Sequence, residues 1–387
     1  MSLATGPRPA VVGNPESRRV RFFREAVRAA GLPEARVVPW LDVLRGRAEF
    51  RPGETVRVDT PGEDPEVDRL LRGADDPARV EGSRRWYERF TAALPELAAR
   101  VAEAGATLVD DPAEPAVLFD KRLTHGRLRA AGVPVPDSPT SGPRAPRVGG
   151  WDDVRALTAR AGLRRVFVKL AHGSSASGVL AVETAGAGRV QATTSVERAP
   201  DGRLFNSLRV RRYRTEAEVA ALVDALAPDG LHVERWLPKA AQDGRAADLR
   251  VVVIGGRATH AVVRTSRSPL TNLHLGGARG DLTAAQEAVA AAGGRWSDAL
   301  DVCERAAAAF PGTRCVGVDL LPTAGWRRFA VGEVNAFGDL LPGLTGLPGS
   351  GAEGQDTYAA QVADLVRVTA AGRPHRSTSR TTGTSTP

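Results

Sequence analysis

Cys315-Val-Gly-Val-Asp-Leu-Leu-Pro-Thr-Ala-Gly-Trp-Arg-Arg-Phe-Ala-Val-Gly-Glu-Val-Asn-Ala-Phe-Gly-Asp-Leu-Leu341 reads as two apolar strands around a turn. The first strand is expected from about Val316 to Leu321, the turn over Pro322 to Gly325, and the second strand from about Phe329 to Asn335. Side chains alternate faces along a strand, so Glu333 and Asn335 share one. A hairpin closing near Trp326 sets Asp319 across from Glu333 on that face. Two carboxylates and an amide oxygen, all hard donors, then converge. Such a set suits Mg²⁺, which takes few protein ligands and keeps its other positions for water and phosphate oxygens. The plainer alternative is a hairpin with polar residues on its wet side, and the rest of the chain decides between the two.

A chain of 387 residues, 42% hydrophobic and 25% charged, has room for two or three packed units of ordinary globular composition. No apolar run approaches the roughly 20 residues of a membrane helix. Met1 to Ala10 holds no signal-peptide core. Cys303 and Cys315 give neither a disulfide framework nor metal-ligand spacing, so two buried thiols and a cytoplasmic location are expected. The net charge of +8 raises a nucleic-acid partner, but the cations are interleaved with acids and no aromatic-basic module stands out. Of 53 cations only three are lysines, Lys121, Lys169 and Lys239. A position that stays Lys in an Arg-rich chain points to a need for a compact ammonium. The alternative, that rare lysines fall by accident, is weakened by their neighbourhoods.

Residues 10–119 alternate short strands with helices, which predicts a doubly wound parallel sheet serving as scaffold and substrate wall. Within it, Trp86, Phe90, Leu94, Leu97 and Val101 mark a helical region expected to break or kink at Pro95. Asp120 is placed to cap a helix running to about Ala131. Arg164 to Leu170 reads as a strand ending in Lys169. A Gly/Ser loop follows, from Ala171 through Ser174 and Ser175 to Gly178, and then a strand from Val179. Strand, small-residue loop, strand describes a flap whose N–H groups cover phosphates, or else a plain hairpin loop. No Gly-Lys-Ser/Thr closes it, so it is not a Walker A loop. Leu231 to Lys239 is a strand leaving into a linker. There Glu234 precedes Arg235, Trp236 and Leu237, whose backbone could pair with a purine edge; a domain crossover gives the same pattern. Asp248-Leu-Arg250 leads a strand to Ile254, Gly255-Gly256 turns it, and the return strand ends at Arg264. Asn272-Leu-His-Leu-Gly-Gly277 is compact and rich in donors. His125, His172, His260 and His274 read as satisfied or surface residues. The last 16 residues, 372–387, read as a disordered tail.

Taken in order, these pieces resemble the ATP-grasp superfamily of carboxylate–amine ligases. They are Asp120-Lys121, Phe167-Val168-Lys169 with its flap, Glu234 to Leu237, Asp248-Leu-Arg250, Arg264, Asn272 to Gly277, Gly317-Val-Asp319 and Glu333-Val-Asn335. Within the superfamily the pattern is most similar to the ribosomal-protein glutamate (RimK-like) ligases. The resemblance implies an α/β (α+β) ATP-grasp fold of two subdomains clasping ATP, behind an N-terminal Rossmann-like unit. It divides the chain into 1–119, 120–237 with the flap, 238–371 with the metal site, and the tail.

Lys121, Lys169, Ser174, Ser175 and Gly178 would then serve the phosphates. Glu234, Arg235, Trp236 and Leu237 would hold adenine, with Lys239 just beyond them and Asp248 near the ribose. Asp319, Glu333 and Asn335 would bind two Mg²⁺ ions, with Mn²⁺ as the alternative metal. Arg264 and Asn272 would face the transferring groups, with Arg250 in support or only paired with an acid. The implied reaction joins a carboxylate to an amine through an acyl phosphate, the amine being an amino acid, a peptide or a protein tail. The pattern departs from the family at Leu270, in a longer segment between Leu237 and Asp248, and at Ala336-Phe-Gly-Asp339, which leaves the acceptor open. A kinase on the same scaffold and a non-catalytic nucleotide-binding partner protein are the alternatives.

Overall fold

A computed structural model describes residues 6–74, 76, 78–173, 176–185 and 189–371 of the chain. Ser174, Ser175 and the expected tail at 372–387 lie outside the described residues.

The N-terminal run of valines builds a parallel sheet. Its strands are β1 (Arg8–Gly13), β2 (Arg36–Pro39), β3 (Glu54–Val58) and β4 (Thr107–Leu108), in the order β2-β1-β3-β4. Both faces are covered, which is why β1 reads as an unbroken apolar run rather than an alternating one. Ala10 and Val12 pack toward Trp40, Phe90 and Leu94, whereas Val11 packs toward Val20, Phe23 and Val27 of the helix Arg18–Ala29. The doubly wound reading holds.

The expected break at Pro95 does not occur: one helix runs from Ser83 to Glu103. A proline inside a helix costs about 3 kcal/mol. Phe90, Leu94, Leu97 and Val101 bury a stripe on both sides of it, each contributing roughly 1.5–3 kcal/mol, so packing wins. The start of this helix is held from far away. Gly82 has no side chain to cap it, and the Asp229 carboxylate instead accepts from Gly82 N–H (3.0 Å) and Arg84 N–H (2.9 Å). Asp229→Ala should therefore lower stability by about 1–2 kcal/mol, read as a thermal midpoint a few degrees lower.

The second sheet is antiparallel. It comprises β5 (Arg165–Leu170), β6 (Leu180–Ala185), β7 (Arg189–Arg198), β8 (Leu204–Tyr213) and β9 (Leu231–Arg235), ordered β8-β7-β6-β5-β9. Helices Trp151–Arg160 and Glu216–Leu226 cover one face, where Val166, Val168, Leu170, Leu231 and Val233 are buried. Alternation sends Phe167, Lys169, His232 and Glu234 to the opposite face.

The third sheet contains β10 (Ala241–Gln242), β11 (Arg245–Ile254), β12 (Arg257–Ser266), β13 (Ala278–Arg279), β14 (Cys315–Pro322) and β15 (Phe329–Ala336). Its order is β13-β12-β11-β14-β15, with β10 paired to β11. Leu249, Val251, Val263, Val318, Leu320 and Val334 pack against the helix Trp296–Ala308. Asp248, Arg250, Arg264, Asp319 and Glu333 fall on the other face by the same alternation. The two polar faces border one crevice, where Leu270 and Leu275 of the third unit pack on Phe167, Val179 and Ala181 of the second. The last helix, Thr357–Ala371, returns to the first unit and buries Tyr358, Val362 and Leu365 against Val11, Phe23 and Val27. No helix among the described residues is long and apolar enough to cross a membrane.

Candidate active site

The hairpin pairs as expected, with Asp319 opposite Glu333 and Gly317 opposite Asn335. Its turn lies further on than Pro322–Gly325: Pro322 still pairs with Phe329, and Thr323 N–H bonds Arg328 C=O at 2.8 Å. Beyond Asp319 the register shifts, so that Leu320 pairs with Val331 and Gly332 is the extra residue. The bulge lets Val331 and Val334 both reach the core while Glu333 and Asn335 keep the crevice face.

A chain of alternating charges runs along this face. Lys239 Nζ lies 3.0 Å from Asp248, and Arg264 Nε donates to the other Asp248 oxygen at 2.8 Å. Arg264 Nη2 reaches Asp319 at 3.2 Å. Arg250 forks onto Asp319 and, through Nη1, bonds Asp339 at 2.7 Å. Burial alone would push the Asp248 and Asp319 carboxyls up, but the facing guanidiniums, joined at Asp248 by Lys239, hold both below their usual range. Burial would likewise lower the Arg264 pKa, and its two carboxylates raise it instead.

Across the crevice, Lys169 Nζ sits 2.5 Å from Glu234, and Lys121 Nζ sits 2.5 Å from Glu333 and 2.7 Å from Gly173 C=O at the root of the flap. Burial raises the Glu234 carboxyl, but the Lys169 ammonium and the His232 imidazole bring it down to about 2. Burial lowers the Lys169 pKa, and Glu234, Glu333 and Asp319 raise it past its ordinary value. Three carboxylates from two sheets thus face one ammonium.

Asp248, expected near a ribose, is 2% exposed, and both oxygens are taken by Arg264, Lys239 and the Thr271 hydroxyl. In this structure it orients those cations rather than facing open space. At the purine grip, Arg235 N–H is spent on Asp137 C=O and Trp236 N–H on Arg165 C=O. The Trp236 ring leans on Phe167 and under the Arg165 guanidinium, 4.0 Å from its centroid. By alternation, Arg235 C=O and Leu237 N–H are the pair directed to the outer edge of β9. A cavity of about 280 Å³ opens beside them, walled by Trp236, Pro238, Lys239, Ser266 and Arg267.

Gly178 has a φ of 66°, and a Cβ there would lie 2.5 Å from Leu170, so only glycine fits at the base of the flap. Asn272 caps the short turn Leu273–Leu275 by accepting from His274 N–H at 2.8 Å. His125, His172 and His260 are buried with hydrogen-bond partners, and His274 is exposed. Asp339, Thr271 and His232 join the polar network although the sequence pattern had singled out none of them.

The donor chemistry fits Mg²⁺ and a triphosphate. Asn335 Nδ2 donates to Gly317 C=O at 3.1 Å, leaving its amide oxygen as the ligand atom. Asp319 and Glu333 each accept from side-chain cations, and a carboxylate has about four lone-pair sites, so capacity remains. No group of three His, Cys, Asp or Glu side chains is placed to hold a metal among the described residues.

No family model and no curated protein matches the chain. Solved structures do. D-cycloserine synthetase DcsG is 18% identical, aligns over 93% of this chain and 98% of its own, and gives a TM-score of 0.54. The ATP-grasp ligase PsnB bound to a minimal precursor is 18% identical over 94% of this chain and 99% of its own, with a TM-score of 0.51. PsnB with a phosphomimetic precursor variant, Mg and ADP is 18% identical over the same shares of the two chains and gives 0.50. The chain has the ATP-grasp fold, as its motifs implied.

Proposed function

We propose that the protein is an ATP-dependent carboxylate–amine ligase. What carries the reading is the convergence of Lys121, Lys169, Glu234, Asp319 and Glu333, drawn from parts of the chain up to 212 residues apart, on one crevice. Similarity in fold to PsnB, which has been seen with Mg and ADP, supports ATP with Mg²⁺ here, and the motif resemblance implies two ions. The motif run supports the RimK-like pattern, with 120–237 and 238–371 as the two clasping units. Two free, buried thiols accord with a cytoplasmic location.

In the first step a substrate carboxylate oxygen attacks the γ-phosphorus. The bond to the β-bridging oxygen breaks and ADP leaves. In the second, the amine nitrogen attacks the acyl carbon, the C–O bond to phosphate breaks, and an amide forms as a nitrogen proton leaves with the phosphate. Positioning and charge do most of this work. Lys121 and Lys169 hold phosphate oxygens. Arg264 spends two of its five N–H groups on Asp248 and Asp319, which fixes its fork for an incoming anion. Arg250, tied at both ends to carboxylates, holds Asp319 in place. Asp319, Glu333 and Asn335 would hold the metal, whose bound charge offsets that of the triphosphate. The flap at 171–178 shields the acyl phosphate from water.

Incubation with ATP, Mg²⁺ and pooled amino acids and peptides should give amine-dependent ADP and phosphate, and a condensed product by mass spectrometry. A stable phosphorylated molecule without amine dependence would replace the ligase by a kinase. Nucleotide binding without turnover across the pool would leave the non-catalytic reading.

A further inference from the structure

β9 places His232 beside the pair that matters most at the nucleotide end. In the β5–β9 register Lys169 lies opposite His232, and Phe167 opposite Glu234. His232 is 1% exposed. Its Nε2 lies 3.3 Å from Glu234 Oε2, while Glu234 Oε1 takes the Lys169 ammonium at 2.5 Å. Its Nδ1 lies 3.1 Å from the Thr140 hydroxyl, which itself accepts from Val233 N–H at 2.8 Å. A carboxylate accepts and does not donate, so Nε2 carries the proton, and Nδ1 lies beside the Thr140 hydroxyl, which is also 3.2 Å from Val233 C=O. The neighbouring His125 ring, 5.4 Å away, cannot substitute, because its Nε2 donates to Pro136 C=O at 2.6 Å.

We propose that His232 is a positioning residue for nucleotide binding: it ties one Glu234 oxygen so that Lys169 is presented to the triphosphate rather than chelated. This rests on the ATP-binding reading above. A free carboxylate beside a buried ammonium turns both oxygens onto it and quenches it. With one oxygen fixed to the imidazole, Lys169 bonds the other and keeps its remaining N–H donors for phosphate. Glu234 fixes the proton on Nε2 and Thr140 holds the far edge of the ring, so the relay runs from Thr140 through His232 and Glu234 to Lys169. The charged or titratable groups facing Glu234 are Lys169 from β5, His232 from its own strand, His125 and Lys121 from the helix Lys121–Ala130, and Glu333 from β15.

Titration calorimetry with AMPPNP and Mg²⁺ tests this, together with thermal melts of each variant. His232→Leu should weaken binding by about 10-fold or more, Thr140→Val by less, and His232→Gln, which keeps a donor, by least. Equal affinity in His232→Leu would overturn the proposal. So would losses in His232→Gln as large as in His232→Leu and tracking the melting temperature. Failure of the wild type to bind any nucleotide would overturn the ATP-binding reading itself, and this inference with it.

Discussion

Glu333→Gln is expected to leave a folded protein whose turnover has fallen by about 1000-fold or more, the scale of losing several kcal/mol of charge stabilisation at the phosphates. Glutamine keeps the size and the acceptor oxygen of the original, and Lys121 retains its bond to Gly173 C=O, so little holds the fold hostage to the charge. The Glu333 side chain is 30% exposed, so water reaches the carboxylate and screens part of what the pair contributes to stability. A metal ion held as proposed would, by contrast, lose one of its two carboxylates. The measurement is turnover against Mg²⁺ concentration, beside a melting curve. Activity within about tenfold of wild type, with the same Mg²⁺ requirement, would remove Glu333 from the site.

Much of this geometry was legible in the residues, and the exceptions have physical reasons. The hairpin could be read because a period of two and a turn near Trp326 fix which residues face one another. The bulge at Gly332 could not, since one glycine in a strand signals several things. The apolar stripe Trp86, Phe90, Leu94, Leu97 and Val101 marks a helix but not its partner: a stripe says that a face is buried, not which sheet buries it. Leu270, a departure from the family pattern, is 5% exposed in the apolar contact between the two lobes, so its position is used for packing rather than charge. The resemblance alone places Asp248 near the ribose; the β11–β12 register sets it beside Arg264, and the fold adds Lys239 and Thr271. His232 was hidden for a similar reason. A histidine between two apolar strand residues is unremarkable until the pairing of β5 with β9 sets it beside Lys169.

Lys169→Met is expected to reverse the protein's response to acid. In the wild type Glu234 titrates near 2 rather than near 4.5. A depressed carboxyl contributes stability that is complete above about 4.5 and is lost as pH falls toward 2. The pair as a whole is worth on the order of 3 kcal/mol. Lys169, raised above its usual value, contributes stability below about 10.5 that is lost only as pH climbs past its own shifted pKa. Across the neutral range the pair is therefore flat. Without the ammonium, burial dominates and lifts the carboxyl above 4.5, so the folded state carries a strained charge at pH 7 and sheds it on protonation. Orphaning a buried charge in this way costs about 3–5 kcal/mol. The variant's melting temperature should thus be well below wild type at pH 7 and should rise as pH falls from 7 to 5; a fall parallel to wild type would mean that Glu234 is not held by Lys169. Lys169→Arg separates charge from shape. A guanidinium restores the countercharge, so stability and its pH profile should recover. Nucleotide affinity should not, because a planar fork paired with Glu234 cannot also turn its donors to the phosphates as a compact ammonium does. If arginine restores both, the scarcity of lysine in this chain has no functional cause at this position.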